Sequence, residues 1–354
     1  MISKDEFEDE LFQKDISEER VEKLLAAIKA NEKQNSEESY YGKNYDADLI
    51  EKKDSGDYGI VDYDLPKYHA PILNVVLQST LFRPIKSGRE SEEFLDTGDV
   101  RHNKGFKSEY AIHGSECNSK LDFIVYATLL RLIDQTGFQS LIISPNAFIQ
   151  EMGFEKKVNN TSFLVRLDKA FKRLESVVIT LTSHCPESTI EKNCRAFELV
   201  KSVEVIKDGL LEFKLSKDFF EAYRDKELYH HRAIDMKFFS GIGLDTARSL
   251  FLLYESWHDS SKEVSFDYYE RDRLIKRCNL ETVSRDNNRT ARLKEAHEKL
   301  IECGYLAHCD HNTKNFKTTY YVYINGKKTD RRFTKPKLSK ADIKRAEKGW
   351  DLSS

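Results

Sequence analysis

Hydrophobic positions along this chain follow first a sparse pattern and then a dense one. The first 70 residues hold one helical pattern, "SEERVEKLLAAIKAN", which places Val21, Leu24, Leu25 and Ile28 on one face. The stretch "SGDYGIVDYDLPKYHAP" after it reads as a linker ending at Pro66 and Pro71. From about residue 72 short strands and amphipathic helices alternate, beginning with "LNVVLQSTLFRPIKSG". "LDFIVYATLLRLIDQTG" predicts a buried helix ending at Gly137 and "LIIS" a short strand. "PNAFIQEMG" predicts a helix with Ser144 as its N-cap and Pro145 at its first position. The polar turn "FEKKVNN" then leads into the helix "TSFLVRLDKAFKRLE" and the β-branched strand "VVITLTS".

The same order returns further along. "LDTARSLFLLYESWHD" predicts a helix, "VSFDYY" a strand, "ERDRLIKRCN" a helix and "LETVS" a turn. "RDNNRTARLKEAHEKLIECG" is then a helix, and "YLAHC" with "TTYYVYI" a hairpin. At an offset of 126, Phe148, Ile149 and Met152 fall on Leu274, Ile275 and Cys278. At that offset Arg166, Leu167, Ala170, Arg173 and Leu174 fall on Arg292, Leu293, Ala296, Lys299 and Leu300, a shared R-L-x-x-A-x-x-[RK]-L pattern. An internal repeat of one supersecondary unit is the simplest cause.

Helix, strand, helix, short turn, helix and hairpin is the winged form of helix-turn-helix. The fold class expected is therefore α+β, with two tandem winged-helix domains between a flexible acidic N-terminal and a basic C-terminal extension. The expected spans are 1–71 for the first extension, 72–230 and 231–326 for the two domains, and 327–354 for the tail.

Composition sharpens this picture mainly through charge. The formal net charge of the 354-residue chain is only −3, yet it is the sum of opposed ends. Residues 1–70 hold 10 basic and 19 acidic side chains, while 327–350 hold 10 basic and 3 acidic. A basic tail attracts polyanions. No run of about 18 apolar residues predicts a membrane span. The acidic start "MISKDEFEDELFQKD" is unlike a secretory signal, so a cytosolic protein is expected. Six cysteines without a C-x-x-C pair fit a reducing compartment.

The candidate chemistry lies on the second helix of each unit. In the later unit, Leu293, Ala296 and Leu300 form the packing side, and Asn287, Asn288, Ala291, Arg292 and Glu295 the opposite one. An arginine fork matches guanine O6 and N7, and an asparagine amide matches adenine N6 and N7. The small Ala291 allows close approach, and Ser284 is placed to cap the helix or bond a phosphate. Arg285, Arg289, Arg271 and Arg273, with Lys314 and Lys317 in the hairpin, suit backbone phosphates. The earlier unit offers Thr161, Ser162, Val165, Arg166 and Lys169, preceded by Lys156, Lys157, Asn159 and Asn160. It is basic with fewer base-reading groups, so phosphate contact or self-association is expected of it.

Catalytic constellations do not emerge. "YHHR" at 229–232 and "AHCDH" at 307–311 lack the His-hydrophobic-His alternation of nicking enzymes, and no G-x-x-x-x-G-K-[ST] loop occurs. Cys303, His308, Cys309 and His311 lack the spacing of a zinc site. No catalytic residue, metal or cofactor is expected.

The segments "STLFRPIKSGRESEEF", "HHRAIDMKFFSGIGLDTARSLFLLYESWHD" and "SRDNNRTARLKEAHEKLIECGY" resemble the plasmid replication initiators of the IncQ RepC-like type, related to the two-winged-helix iteron-binding initiators. Leu244, Thr246, Ala247, Arg248 and Leu250, then Ser284, Arg289, Arg292, Glu295 and Leu300, carry the resemblance. It implies binding to direct repeats of double-stranded origin DNA, opening of an adjacent AT-rich segment, and loading of a replicative helicase or another replisome protein. It also implies a monomer–homodimer switch, and a place on plasmid DNA in the bacterial cytosol. Asn287, Asn288 and Thr290 stand where that family usually has more basic residues, which implies a different repeat sequence. The alternative is a winged-helix transcriptional regulator without initiation activity. The helix from Val21 to Ile28 is a candidate helicase or dimer contact, set against docking on its own chain.

Overall fold

Apolar residues at helix and strand spacing set the elements, and their pairing sets the architecture. The computed structural model describes residues 19–29, 68–85, 91–101, 107–136, 139–158, 160–184, 193–206, 209–224, 231–258 and 264–326. Most of the expected linker, Asn159 and the basic tail 327–354 lie outside them. In chain order the first elements are α1 (19–29), β1 (His69–Leu73), α2 (Asn74–Gln78), β2 (Phe82–Arg83), β3 (Phe94–Arg101), β4 (Lys107–Gly114) and β5 (Cys117–Asn118). Next come α3 (Asp122–Thr136), β6 (Ser140–Ile143), α4 (Pro145–Glu151), α5 (Thr161–Ser176), β7 (Val178–His184), β8 (Asn193–Glu198), β9 (Ser202–Val205), β10 (Leu211–Lys214) and α6 (Lys217–Arg224). The last are β11 (His231–Asp235), α7 (Met236–Gly241), α8 (Asp245–Glu255), β12 (Val264–Glu270), α9 (Arg271–Arg277), α10 (Asp286–Glu302), β13 (Leu306–Lys314) and β14 (Lys317–Asn325). The protein is thus mixed α and β. No helix among the described residues is long and apolar enough to cross a membrane.

The described residues gather into two compact units. One draws on Met1–Val76 and Ile85–Met236, the other on Leu77–Pro84 and Lys237–Ser354. The units are not the contiguous ranges 72–230 and 231–326. Leu77–Pro84 belongs with the later unit, where Asn279 donates through Nδ2 to the Pro84 carbonyl at 3.0 Å and Arg83 lies 3.8 Å from the Glu281 carboxylate. β11 stays with the earlier unit because its five residues pair antiparallel with β1.

In the later unit, α9 and α10 pack with the antiparallel sheet β12-β14-β13. In the earlier unit, α4 and α5 follow β6, whose sheet runs β6-β10-β9. In both, a first strand leads into a helix pair and the second strand of a later hairpin pairs with that first strand, with β7 and β8 intervening only in the earlier unit. β7, the strand directly after α5, is not the one that returns to β6. β7 pairs instead with β4 and β8 in a four-stranded sheet β3-β4-β7-β8, and the returning hairpin is β9–β10. A β-branched run such as "VVITLTS" announces a strand, but not which strand it joins.

The repeat is also a repeat of packing. Leu167, Ala170, Phe171 and Leu174 of α5 are buried, and so are Leu293, Ala296, His297 and Leu300 of α10. Phe171 packs on Phe148 and Phe213. His297, at the matching position, stacks on Tyr320 and on Tyr254.

α1 docks on its own unit. Val21, Leu24, Ala27 and Ile28 are buried, at the spacing of one helical face. Arg20 lies 3.3 Å from both the Asp168 and the Glu175 carboxylates of α5, and Asp168 is wholly buried. Gly209, at φ +70 between β9 and β10, lets α1 approach closely, since a Cβ there would stand 2.4 Å from the Ala27 Cβ. The apolar face is thus covered within the chain, and is not a free contact for a helicase or a second copy.

Candidate nucleic-acid interface

The turn between α9 and α10 is built by arginines that the sequence had placed on phosphates. Arg289 donates through Nε to the Val283 carbonyl at 2.7 Å and through Nη2 to that of Glu281 at 3.1 Å. Those bonds satisfy carbonyls of the turn and hold its path. Arg271, the first residue of α9, donates to Asp286 at 2.6 Å and to the Thr290 hydroxyl at 3.0 Å, which clamps the first turn of α10. Arg273 lies with its guanidinium 5.8 Å from the centre of the Tyr269 ring. Ser284 does not cap α10: the N-cap position is Arg285, whose side chain makes no capping bond. The helix starts at Asp286, whose carboxylate Arg271 holds.

Beyond that scaffold, α10 presents its expected outer face. Asn287, Asn288, Ala291, Arg292 and Glu295 are exposed, together with Ser284 and Arg285. Among the described residues, none bonds to the side chains of Asn287, Asn288, Arg285 or Arg292. Two amides and two guanidiniums therefore keep their full donor and acceptor capacity toward solvent. Behind them, Leu293, Ala296 and Leu300 seat the helix. His297 Nδ1 donates to the Leu293 carbonyl at 2.7 Å, so its Nε2 accepts from the Tyr254 hydroxyl at 2.8 Å. Burial lowers the His297 pKa to about 4, and the neutral ring ties α10 to α8.

The hairpin β13–β14 reaches out from the same end of this unit. Glu270, the last residue of β12, pairs with Thr319, and Arg271 directly after it holds the start of α10. The hairpin continues past Thr319 to a tip at Lys314 and Lys317, both exposed. The base-reading candidates and the hairpin lysines thus share one end of the unit.

In the earlier unit, Lys156 and Lys157 sit exposed in the 3-10 turn Glu155–Lys157, and Thr161, Ser162, Arg166 and Lys169 are exposed on α5, with Val165 half-buried. Asn160 is committed locally. Its side-chain oxygen accepts from the Phe163 amide at 2.9 Å and caps the helix. α1 covers a different stripe of α5, the one holding Asp168 and Glu175, and leaves the basic stripe open. Among the described residues no three His, Cys, Asp or Glu side chains come close enough together to hold a metal ion.

No protein-family model matches this chain, and no curated protein matches it. Among solved structures, one similar chain is described as a "Crystal structure of Pi initiator protein in complex with iteron DNA". The two are 12% identical with a TM-score of 0.36, over 58% of this chain and 95% of that one.

Proposed function

We propose that the protein is a tandem winged-helix initiator of plasmid replication that binds short direct repeats of double-stranded origin DNA. The observation that carries DNA binding is the outer face of α10, where Asn287, Asn288 and Arg292 stand exposed and uncommitted on a helix clamped at its start by Arg271. In this reading α10 enters the major groove. Arg292 reads guanine and the two asparagines read adenine, while Ala291 lets the helix approach and its methyl group meets a thymine methyl. Arg285, Lys314 and Lys317 hold phosphates beside it.

The earlier unit supplies phosphate contacts through Lys156, Lys157, Arg166 and Lys169, and Thr161 and Ser162 add hydroxyl donors. The matching strand order of the two sheets and the shared R-L-x-x-A-x-x-[RK]-L pattern support two units of one type. The origin-specific part rests on the resemblance carried by "LDTARSL" and by Ser284, Arg289, Arg292, Glu295 and Leu300. With it come opening of an AT-rich segment, recruitment of a replicative helicase, a monomer–homodimer switch and residence in the bacterial cytosol. The protein makes and breaks no bond, and needs no cofactor.

Two substitutions test the division of labour. Arg292→Ala is expected to lose about 1–3 kcal/mol toward the preferred repeat and to flatten discrimination at one base pair. Lys157→Ala is expected to weaken preferred and random duplexes alike, and to lower the salt slope by about one. Competition binding with both kinds of duplex at several salt concentrations reads both effects. Equal behaviour of the two variants would contradict the assignment.

A further inference from the structure

The tip of the β13–β14 hairpin carries a side chain that neither stability nor the phosphate-binding role of its lysines explains. Phe316 is fully exposed, at 104% of its reference surface. It stands with Asn315 in a two-residue loop between the paired Lys314 and Lys317, and both loop residues have left-handed backbone, φ 50 and 64. Such a loop favours Asn followed by Gly. Asn315 obeys that preference. Phe316 places a bulky ring where a Cβ is strained and gives the ring nothing to pack on.

The surroundings say what the ring is for. Lys314 and Lys317 flank it, exposed and without a carboxylate partner among the described residues. The Thr313 and Thr318 hydroxyls bond across the hairpin at 2.9 Å and stiffen the stem just behind the tip. From Thr319, level with the start of α10, three more residues carry the chain about 10 Å outward to Phe316. A rigid finger with an aromatic end between two cations therefore projects beside the helix assigned to the major groove.

We propose that Phe316 is a wedge that enters the minor groove beside the α10 site and inserts between two base pairs, with Lys314 and Lys317 on the phosphates of either strand. The proposal rests on the reading of α10 as a duplex-binding helix. Apolar side chains driven between base steps unstack them and bend the duplex. Pyrimidine–purine steps yield most easily, so the wedge favours a flexible step next to the sequence read by α10. Unstacking at this point is a direct contribution to duplex opening.

The test uses the full chain and mixed-sequence duplex DNA at low salt, so that no knowledge of the repeat is needed. In a Phe316→Trp variant, the fluorescence difference from the parent isolates the tip indole from Trp257 and Trp350. Insertion predicts quenching of that indole on DNA addition and its protection from iodide. Phe316→Ala is expected to bind roughly tenfold more weakly and to bend a fragment less in gel mobility. Phe316→Gly, which suits the loop torsions, is expected to raise the melting temperature while losing the same bend. A structural role for the ring would instead lower it. Salt-dependent binding with an unquenched indole and unchanged bending by Phe316→Ala would overturn the wedge and leave the α10 reading standing. Absence of salt-dependent binding by the parent chain would overturn both.

Discussion

Replacing Leu24 with Ala is expected to destabilise the earlier unit by about 2–5 kcal/mol, the usual cost of truncating a wholly buried leucine. The size follows from where α1 sits. Leu24 and Ile28 have no exposed surface, Ala27 meets the backbone at Gly209, and Arg20 neutralises the buried Asp168. A helix of eleven described residues is too short to hold itself together, so nearly all its order comes from this seat. Thermal unfolding of the full chain, with hydrogen exchange across 19–29 and α5, checks it. The expected outcome is a lower midpoint and coupled loss of protection in both helices. A helix reserved for a helicase or a second copy predicts the opposite: unchanged stability and a lost partner.

Acid is expected to weaken the later unit through His297 by roughly 3 kcal/mol. Burial lowers its pKa from 6.5 to about 4 in the folded chain. Between those values the unfolded chain binds a proton that the folded chain refuses. The contribution is therefore fully present above about pH 6.5, falls as pH drops, and is gone below about pH 4. Burial is the main physical cause and the charge of His311 adds to it, while the bond from Nδ1 to the Leu293 carbonyl works in the opposite direction. Denaturant unfolding from pH 7.5 to 4 on the parent chain and on His297→Gln separates this effect from titrating carboxylates. The difference between the two should change with pH over that window, and a constant difference would contradict the assignment.

These two residues also mark how far the sequence could be read. The period of Leu293, Ala296 and Leu300 announced the buried side of α10, and the structure buries those side chains. The same period announced the face of α1, but periodicity says that a face is covered and not by what. Arg20, Asp168 and Gly209 lie far apart in the chain, and only the fold brings them together. His297 was legible only through the offset of 126 that sets it on Phe171, a core position where a polar ring must find partners.

Pairing was the weakest link. β3 and β4 carried no strong signal, and β7 joins them rather than closing on β6, because strand alternation carries no label for its neighbour. Among the candidate interface residues, composition could not separate exposed arginines from those that build the turn. Arg289 and Arg271 are spent on carbonyls, a carboxylate and a hydroxyl, whereas Arg285 and Arg292 are not. Phe316 had one available signal, "NF" where a two-residue hairpin loop prefers "NG".

Footprinting of the full chain on the DNA flanking its own gene, at 50 and 200 mM salt, tests the central claim most directly. With about six phosphate contacts, affinity should fall roughly a thousandfold between those conditions. The account predicts protection of regularly spaced direct repeats, lost at the higher salt, with an unwound AT-rich patch beside them. Protection of a single inverted repeat over a promoter would contradict the initiator and indicate a regulator. The absence of salt-sensitive protection would contradict DNA binding through α10 altogether.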